Sequence, residues 1–214
     1  MTAIAMNNVV AVGARQVQEP LFRSAHEALT FALNYSMQQY DRPLMNRAMS
    51  AKPSGGGEGK GLSGLDGAGQ AGMIRAELAK LVPLHQAVLV ASLAPARLPC
   101  ECRVSCCSGW KVNPEWQDAM SQLSVAAAAG ALSGCLSNGR MRSDLIQRLF
   151  GFKVTFADLA ERYDVDEKTV AAHHAKLKRW LFGGEGVHPL AYRNVTELLR
   201  VCRLVESTDQ AGSD

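Results

Sequence analysis

Four of the six cysteines fall within one short stretch, at Cys100, Cys102, Cys106 and Cys107. The spacing C-x-C-x₃-C-C offers four thiolates, a donor set that suits a closed tetrahedral zinc site. A structural zinc can fix a loop too short to own a hydrophobic core. The spacing is not the usual pair of C-x₂-C knuckles, and adjacent cysteines strain a single tetrahedron. One of the four could therefore be a bystander, with His85 as a distant replacement. A redox pair or plain buried thiols are the competing readings. Cys135, in a small-residue stretch, and Cys202, on an apolar stripe, are expected in the core rather than on a metal. Catalytic groupings are thin. The chain has five histidines, two of them adjacent, and no carboxylate pair or nucleophile–base pair is set off by a motif. An enzyme is not expected.

The second chemistry-bearing stretch runs from Val154 to Phe182 and reads as helix, tight turn, helix. Thr155 can cap the first helix with Asp158 as its capping-box partner. Phe156, Leu159, Ala160 and Tyr163 fall on one face. Asp164, Val165 and Asp166 make the turn, and Asp166 is placed to cap the second helix. That helix is expected to bury Val170, Leu177 and Leu181, with His174 on the same stripe. Its other face carries Lys168, Thr169, Ala172, His173, Lys176 and Arg179, with Lys178 nearby. An apolar side for docking and an outer side of small residues, donors and positive charge is what contact with a DNA major groove requires.

Leu159, Ala160, Val165 and Val170 match packing positions of the helix-turn-helix family, and the stretch most resembles its sigma-factor region-4-like and response-regulator-like members. Two positions depart from that pattern: Asp164 stands where Gly is frequent, and His173 where many members carry an aliphatic residue. The resemblance implies double-stranded DNA as partner. Lys168, Lys176, Lys178 and Arg179 would meet phosphates or guanine edges, and Thr169, Ala172 and His173 would lie nearest the bases. The order of helical N-terminal part, cysteine cluster and C-terminal helix-turn-helix is also similar to small bacteriophage and prophage regulators. In parts list it resembles the Q-type late antiterminators, which implies RNA polymerase as a further partner.

Other elements must position these two groups. Residues 1–19 read as an arm, with Val9, Val10 and Val12 as a short strand at most. Leu21 to Tyr40 reads as a helix with a Ser24/Glu27 capping box and a stripe of Ala25, Ala28, Leu29, Ala32, Leu33 and Tyr40. Arg42-Pro43 ends it. Residues 50–61 are too glycine-rich for a regular element. They also fail as a phosphate loop, because Ser54 and Gly61 stand where that pattern needs Gly and Ser or Thr. Gly67 to Gly72 matches G-x-G-x-x-G literally, but no strand precedes it and no acidic residue follows at ribose-binding distance. It reads instead as a glycine-rich loop, docked by Leu62, Leu65 and Ile74, that enters a helix capped by Asp66. That helix turns Ala71, Ile74, Leu78 and Leu81 inward, and Pro83 breaks it. His85 to Leu93 is apolar almost all round and belongs in a core. Asn113 and Pro114 start a long helix with Trp116, Ala119, Met120 and Leu123 inside. An alanine-rich run from Val125 to Leu132 follows, and Asn138-Gly139 stops it. Ser143 starts a short helix ending at Gly151, which would brace the helix-turn-helix. After Gly183–Gly186 the last helix opens at Asn194 and Glu197 and runs to about Val205, to close the core or to pair with a second copy.

Bulk composition agrees with this reading. A chain of 214 residues, 47% hydrophobic and 20% charged, can bury a real core. The net charge of +3 is too small to argue for nucleic acid by itself. Its distribution is more useful, because Arg140 to Arg203 holds twelve Lys and Arg against eight Asp and Glu. No apolar run approaches the ~20 residues of a membrane helix. The first residues lack the basic and apolar regions of a secretion signal, so a cytoplasmic location with no membrane association is expected. The fold class expected is all-α: a multi-helix protein with a Cys-rich, zinc-holding loop and a C-terminal helix-turn-helix. The divisions fall at 1–50 (arm and helix), 51–61 (linker), 62–139 (helices with the Cys-rich loop 98–110), 140–205 (DNA-binding region) and 206–214 (tail). The expected function is sequence-specific DNA binding in transcription regulation, as a monomer or homodimer. A zinc-stabilised adaptor and a DNA-locating subunit of a nucleic-acid-processing complex are the rivals.

Overall fold

The computed structural model describes residues 20–35, 64–100, 102, 104 and 107–206. The architecture is mostly helical. In chain order it contains α1 (Ala25–Asn34), α2 (Gly64–Leu78), α3 (Pro83–Leu93), β1 (Arg97–Pro99), β2 (Trp110–Val112), α4 (Pro114–Ala129), α5 (Gly139–Leu149), α6 (Phe156–Tyr163), α7 (Glu167–Phe182) and α8 (Val187–Val201). No helix among the described residues is long and apolar enough to cross a membrane.

The centre of the packing is α3. Its residues Ala87 to Ala91 are five consecutive buried positions, as a helix surrounded on all sides requires. Helices α1, α4 and α8 pack around it, with α4 and α8 making the broadest contacts. Pro83 opens α3 at its first turn rather than merely ending the helix before it, because the missing N–H is one that a helix start leaves unpaired anyway. Trp116 of α4 donates its indole N–H to the Ala91 carbonyl at 3.2 Å, tying the two helices.

The remaining helices hang from this centre. α5, α6 and α7 contact one another, α5 leans on α4, and α7 leans on α8. The last helix therefore closes the core: Val187, Ala191, Val195 and Leu199 are all buried. Beyond it, Phe22 donates its N–H to the Leu204 carbonyl at 3.2 Å and accepts from Glu206 N–H at 3.3 Å, so the segment after α8 clasps the residues before α1. One continuous hydrophobic cluster runs from Phe22 to Val205.

Several boundaries differ from the sequence reading. Gly67 to Gly72 lies inside α2 rather than in a loop before it, and Asp66 is a helix residue rather than a cap. Asn138 does not stop α4, which ends at Ala129. It caps α5 by accepting from Arg140 N–H at 2.8 Å, so α5 begins at Gly139 and not at Ser143. The last helix starts at Val187, with Asn194 in its interior. Pro189 sits in its first turn, where no intrahelical N–H bond is lost. Gly186 permits the tight passage from α7 to α8: a Cβ there would lie 2.6 Å from the Leu181 carbonyl oxygen. α1 ends at Asn34. Tyr40, the arm with Val9, Val10 and Val12, residues 50–61 and the tail after Glu206 lie outside the described residues.

Candidate metal centre and basic helix face

The cysteine stretch sits at the tip of a two-stranded antiparallel hairpin that periodicity over so few residues did not reveal. Arg97 pairs with Val112, Leu98 with Lys111 and Pro99 with Trp110. Asn113 fixes the hairpin to α4. Its side chain accepts from Glu115 N–H at 3.1 Å and donates to the Pro95 carbonyl at 2.8 Å, and its own N–H reaches the Ala96 carbonyl at 3.0 Å. At the tip, Cys100 N–H bonds the Gly109 carbonyl at 2.8 Å and Cys107 N–H bonds the Val104 carbonyl at 3.0 Å. Gly109 has φ +78°, a conformation that other residues adopt only with strain.

This geometry gathers three of the four predicted ligands. The sulfurs of Cys100, Cys102 and Cys107 lie within 4.8 Å of one another. A tetrahedral thiolate site with bonds of about 2.3 Å needs sulfurs separated by about 3.8 Å, so small rotations suffice. Cys106 lies outside the described residues. His85 is not a member of the cluster: its Nδ1 is 3.2 Å from the Asn194 amide nitrogen. The thiols are unequal. Cys102 is held below the ordinary thiol range by the Val104 backbone N–H, then by the Cys107 and Cys100 side chains. For Cys100 the Cys102 backbone N–H pulls the other way, but hydrogen bonding to the Cys102 and Cys107 side chains, with desolvation, leaves it raised. One thiolate is thus favoured first. Three sulfurs this close can hold a metal ion, and soft donors select thiophilic ions over magnesium or calcium.

The other two cysteines depart from expectation in different ways. Cys135 lies in the loop after α4, half-buried, and its sulfur accepts from Lys176 Nζ at 3.2 Å. Cys202 is exposed rather than in the core, beside Glu77, whose hydrogen bond raises its thiol.

The predicted basic stretch forms α6, a turn and α7. The Thr155/Asp158 capping box is complete, with both bonds at 3.1 Å. Asp164 takes the left-handed conformation at φ 50° that closes α6, and Asp166 caps α7 by accepting from Lys168 N–H at 2.7 Å. The buried stripe of α7 is Val170, His173, Leu177 and Leu181. His173 therefore points inward, and its assignment to the outer, base-reading face is corrected. The spacing 170, 173, 177, 181 follows the helical repeat, and a side chain three residues after Val170 cannot also face outward. His173 is only 5% exposed, and its Nδ1 has no hydrogen-bond partner among the described residues. Burial, then the Lys176 charge, lowers its pKa. His174 takes the edge of the stripe, half-buried, with its ring 5.0 Å from that of Phe156.

Lys168, Thr169, Ala172, Lys176, Lys178 and Arg179 are all exposed. Lys168, Ala172, Ala175 and Arg179 follow one another at helical spacing opposite the buried stripe. Ala175, which the sequence reading did not single out, belongs to that outer line. Lys176 lies on one flank, against Cys135, and Lys178 on the other. Comparison of the chain with known protein families, with curated proteins and with solved structures finds no match.

Proposed function

We propose that this chain is a DNA-binding regulator in which α6, the turn at Asp164–Asp166 and α7 work as a helix-turn-helix, with α5 as the supporting helix. One observation carries the reading: α7 is anchored by Val170, Leu177 and Leu181, all fully buried, while its opposite side is small and cationic. Ala172 and Ala175 let the helix approach base edges. Lys168, Lys176, Lys178 and Arg179 supply positive charge and donors for phosphates and guanine. Asp166 caps the helix and Glu167 stands in its first turn, neither entering this outer line.

The same proposal takes the metal at Cys100, Cys102 and Cys107 to be zinc with a structural role, holding the hairpin tip in one shape. Elemental analysis of protein purified under reducing conditions should find about one zinc per chain; its absence would remove that part. By its resemblance to late antiterminators, the proposal also takes RNA polymerase as protein partner.

Binding of a mixed-sequence duplex, followed by fluorescence anisotropy across a salt series, tests the duplex reading. Charge reversal at Lys168→Glu with Arg179→Glu should abolish binding at low salt while leaving the fold intact, since both side chains are exposed. Unchanged binding would leave α6 and α7 as a packing unit, and the adaptor reading would replace this one.

A further inference from the structure

We infer that the β1–β2 hairpin is a second nucleic-acid contact, one that takes unpaired bases rather than duplex. Residues directly opposite in an antiparallel pair share a face. The register puts Trp110 beside Pro99 and Val112 beside Arg97 on one side of the ribbon. Trp110 is 55% exposed and Val112 53% exposed. An indole left this open, on a hairpin already fastened by a thiol cluster, adds nothing to the core and presents a flat π-face to solvent.

Arg97 stands on that face, while Lys111, opposite Leu98, stands on the other side of the narrow ribbon. Both are exposed, and among the described residues neither forms an ion pair with a carboxylate. Glu115, the acid next to the hairpin base, is taken by Arg75 at 2.8 Å. By contrast, the open groove between α4, α5 and α6 has its central polar groups satisfied internally: Asp144 accepts from Arg162 at 2.8 Å and from Tyr163 at 2.7 Å. The hairpin is where an aromatic face and unmatched cations coincide.

A single-stranded nucleic acid meets both demands. Its bases offer a π-face to stack on Trp110, and its phosphates answer Arg97 on that face and, as the flexible strand passes round the two-stranded ribbon, Lys111 on the other. An acidic protein segment would answer the cations but leave the indole face without a planar partner. A duplex hides base faces within its own stack, so an exposed indole selects unpaired strands. The inference stands on the hairpin alone and does not need α7 to bind duplex.

The test uses the full chain, loaded with zinc, and two labelled probes: a 20-nucleotide oligodeoxythymidylate and a 20-base-pair duplex. Trp110→Ala should weaken binding to the single strand by about tenfold or more, in line with the loss of one stacked base. Trp110→Phe should retain most of it. Arg97→Gln with Lys111→Gln should flatten the salt dependence by about 1.4 in log–log slope, the share of two phosphates on a single strand. Lys176→Ala with Arg179→Ala should leave single-strand binding within about twofold. Wild-type protein that fails to bind the single strand at low salt would overturn the inference. So would a Trp110→Ala variant that binds it as wild type does, which would give the face to a protein partner. If Trp110→Ala loses metal or fold, Trp110→Phe and the Arg97/Lys111 pair decide: retained binding in the first and a flattened slope in the second support the contact, and any other pattern overturns it. Loss of duplex binding in the α7 variant with single-strand binding intact would separate the two sites.

Discussion

His173, His174 and His188 are all held below the ordinary histidine pKa, in each case first by desolvation. Secondary contributors differ: Lys176 acts on His173, Arg148 and Lys178 on His174, and His26 on His188. The folded chain binds these protons less readily than the unfolded one, so stability falls as pH drops through the ordinary histidine value near 6.5 toward the lower folded-state values. The urea midpoint should therefore decline between pH 7.5 and pH 5. His173→Leu should make that decline shallower without loss of stability at pH 7.5, because it also removes the unpartnered Nδ1. An unchanged pH dependence would clear His173 as a source. On the neighbouring flank of the helix, Lys176→Ala should reduce the duplex salt slope by about one phosphate's worth, roughly 0.9. An unchanged slope would mean that the ammonium serves Cys135 only.

At the scale of elements, capping and anchoring decide whether α7 is presented at all. Thr155→Ala removes one half of the capping box and should cost about 1 kcal/mol in denaturant unfolding. Leu177→Ala opens a cavity at a fully buried site and should cost roughly 2–5 kcal/mol. Both effects are large enough to resolve, and a smaller loss at Leu177 would mean that α7 is held chiefly from elsewhere. These helices were legible from sequence because their signals are local: the Thr155/Asp158 cap, the Asp166 cap and the inward Val170, Leu177 and Leu181. Where two rules compete, legibility fails. Asn138-Gly139 carries both a helix-stop and an N-cap signal, and only tertiary packing chooses the cap. Asn194 and Glu197 carry a helix-start signal, yet they lie inside a helix that already begins at Val187. The glycines of α2 hide only its first turns; the rest of the helix was legible in the inward Ala71, Ile74 and Leu78. Three-residue strands leave no period to read, so the hairpin under the cysteines was invisible although three of its ligands were not.

The whole molecule is one packing unit in which the site-bearing parts depend on distant ones. α8 contacts α1, α2, α3 and α7, so Leu199→Ala should lower stability throughout, with the signals of α3 and α7 lost in a single transition. Separate transitions would show that α5–α7 is an independent unit. The hairpin should behave differently, since its strand residues are largely exposed and a metal on its thiols is the proposed restraint on its tip. Chelation should accelerate hydrogen exchange across residues 97–112 and leave α7 protected. The cysteine cluster and the basic helix were both visible as residue types in sequence. The inward turn of His173 was legible too, in the helical spacing 170, 173, 177, 181, but the exclusion of His85 from the thiol group depends on long-range packing that no local pattern carries. If α7 reads duplex DNA as proposed, selection from a random duplex pool, run in parallel with the Lys176→Ala/Arg179→Ala variant, decides it. Enrichment of a discrete motif by the wild type and not by the variant is the predicted result, and enrichment of nothing by either protein would contradict it.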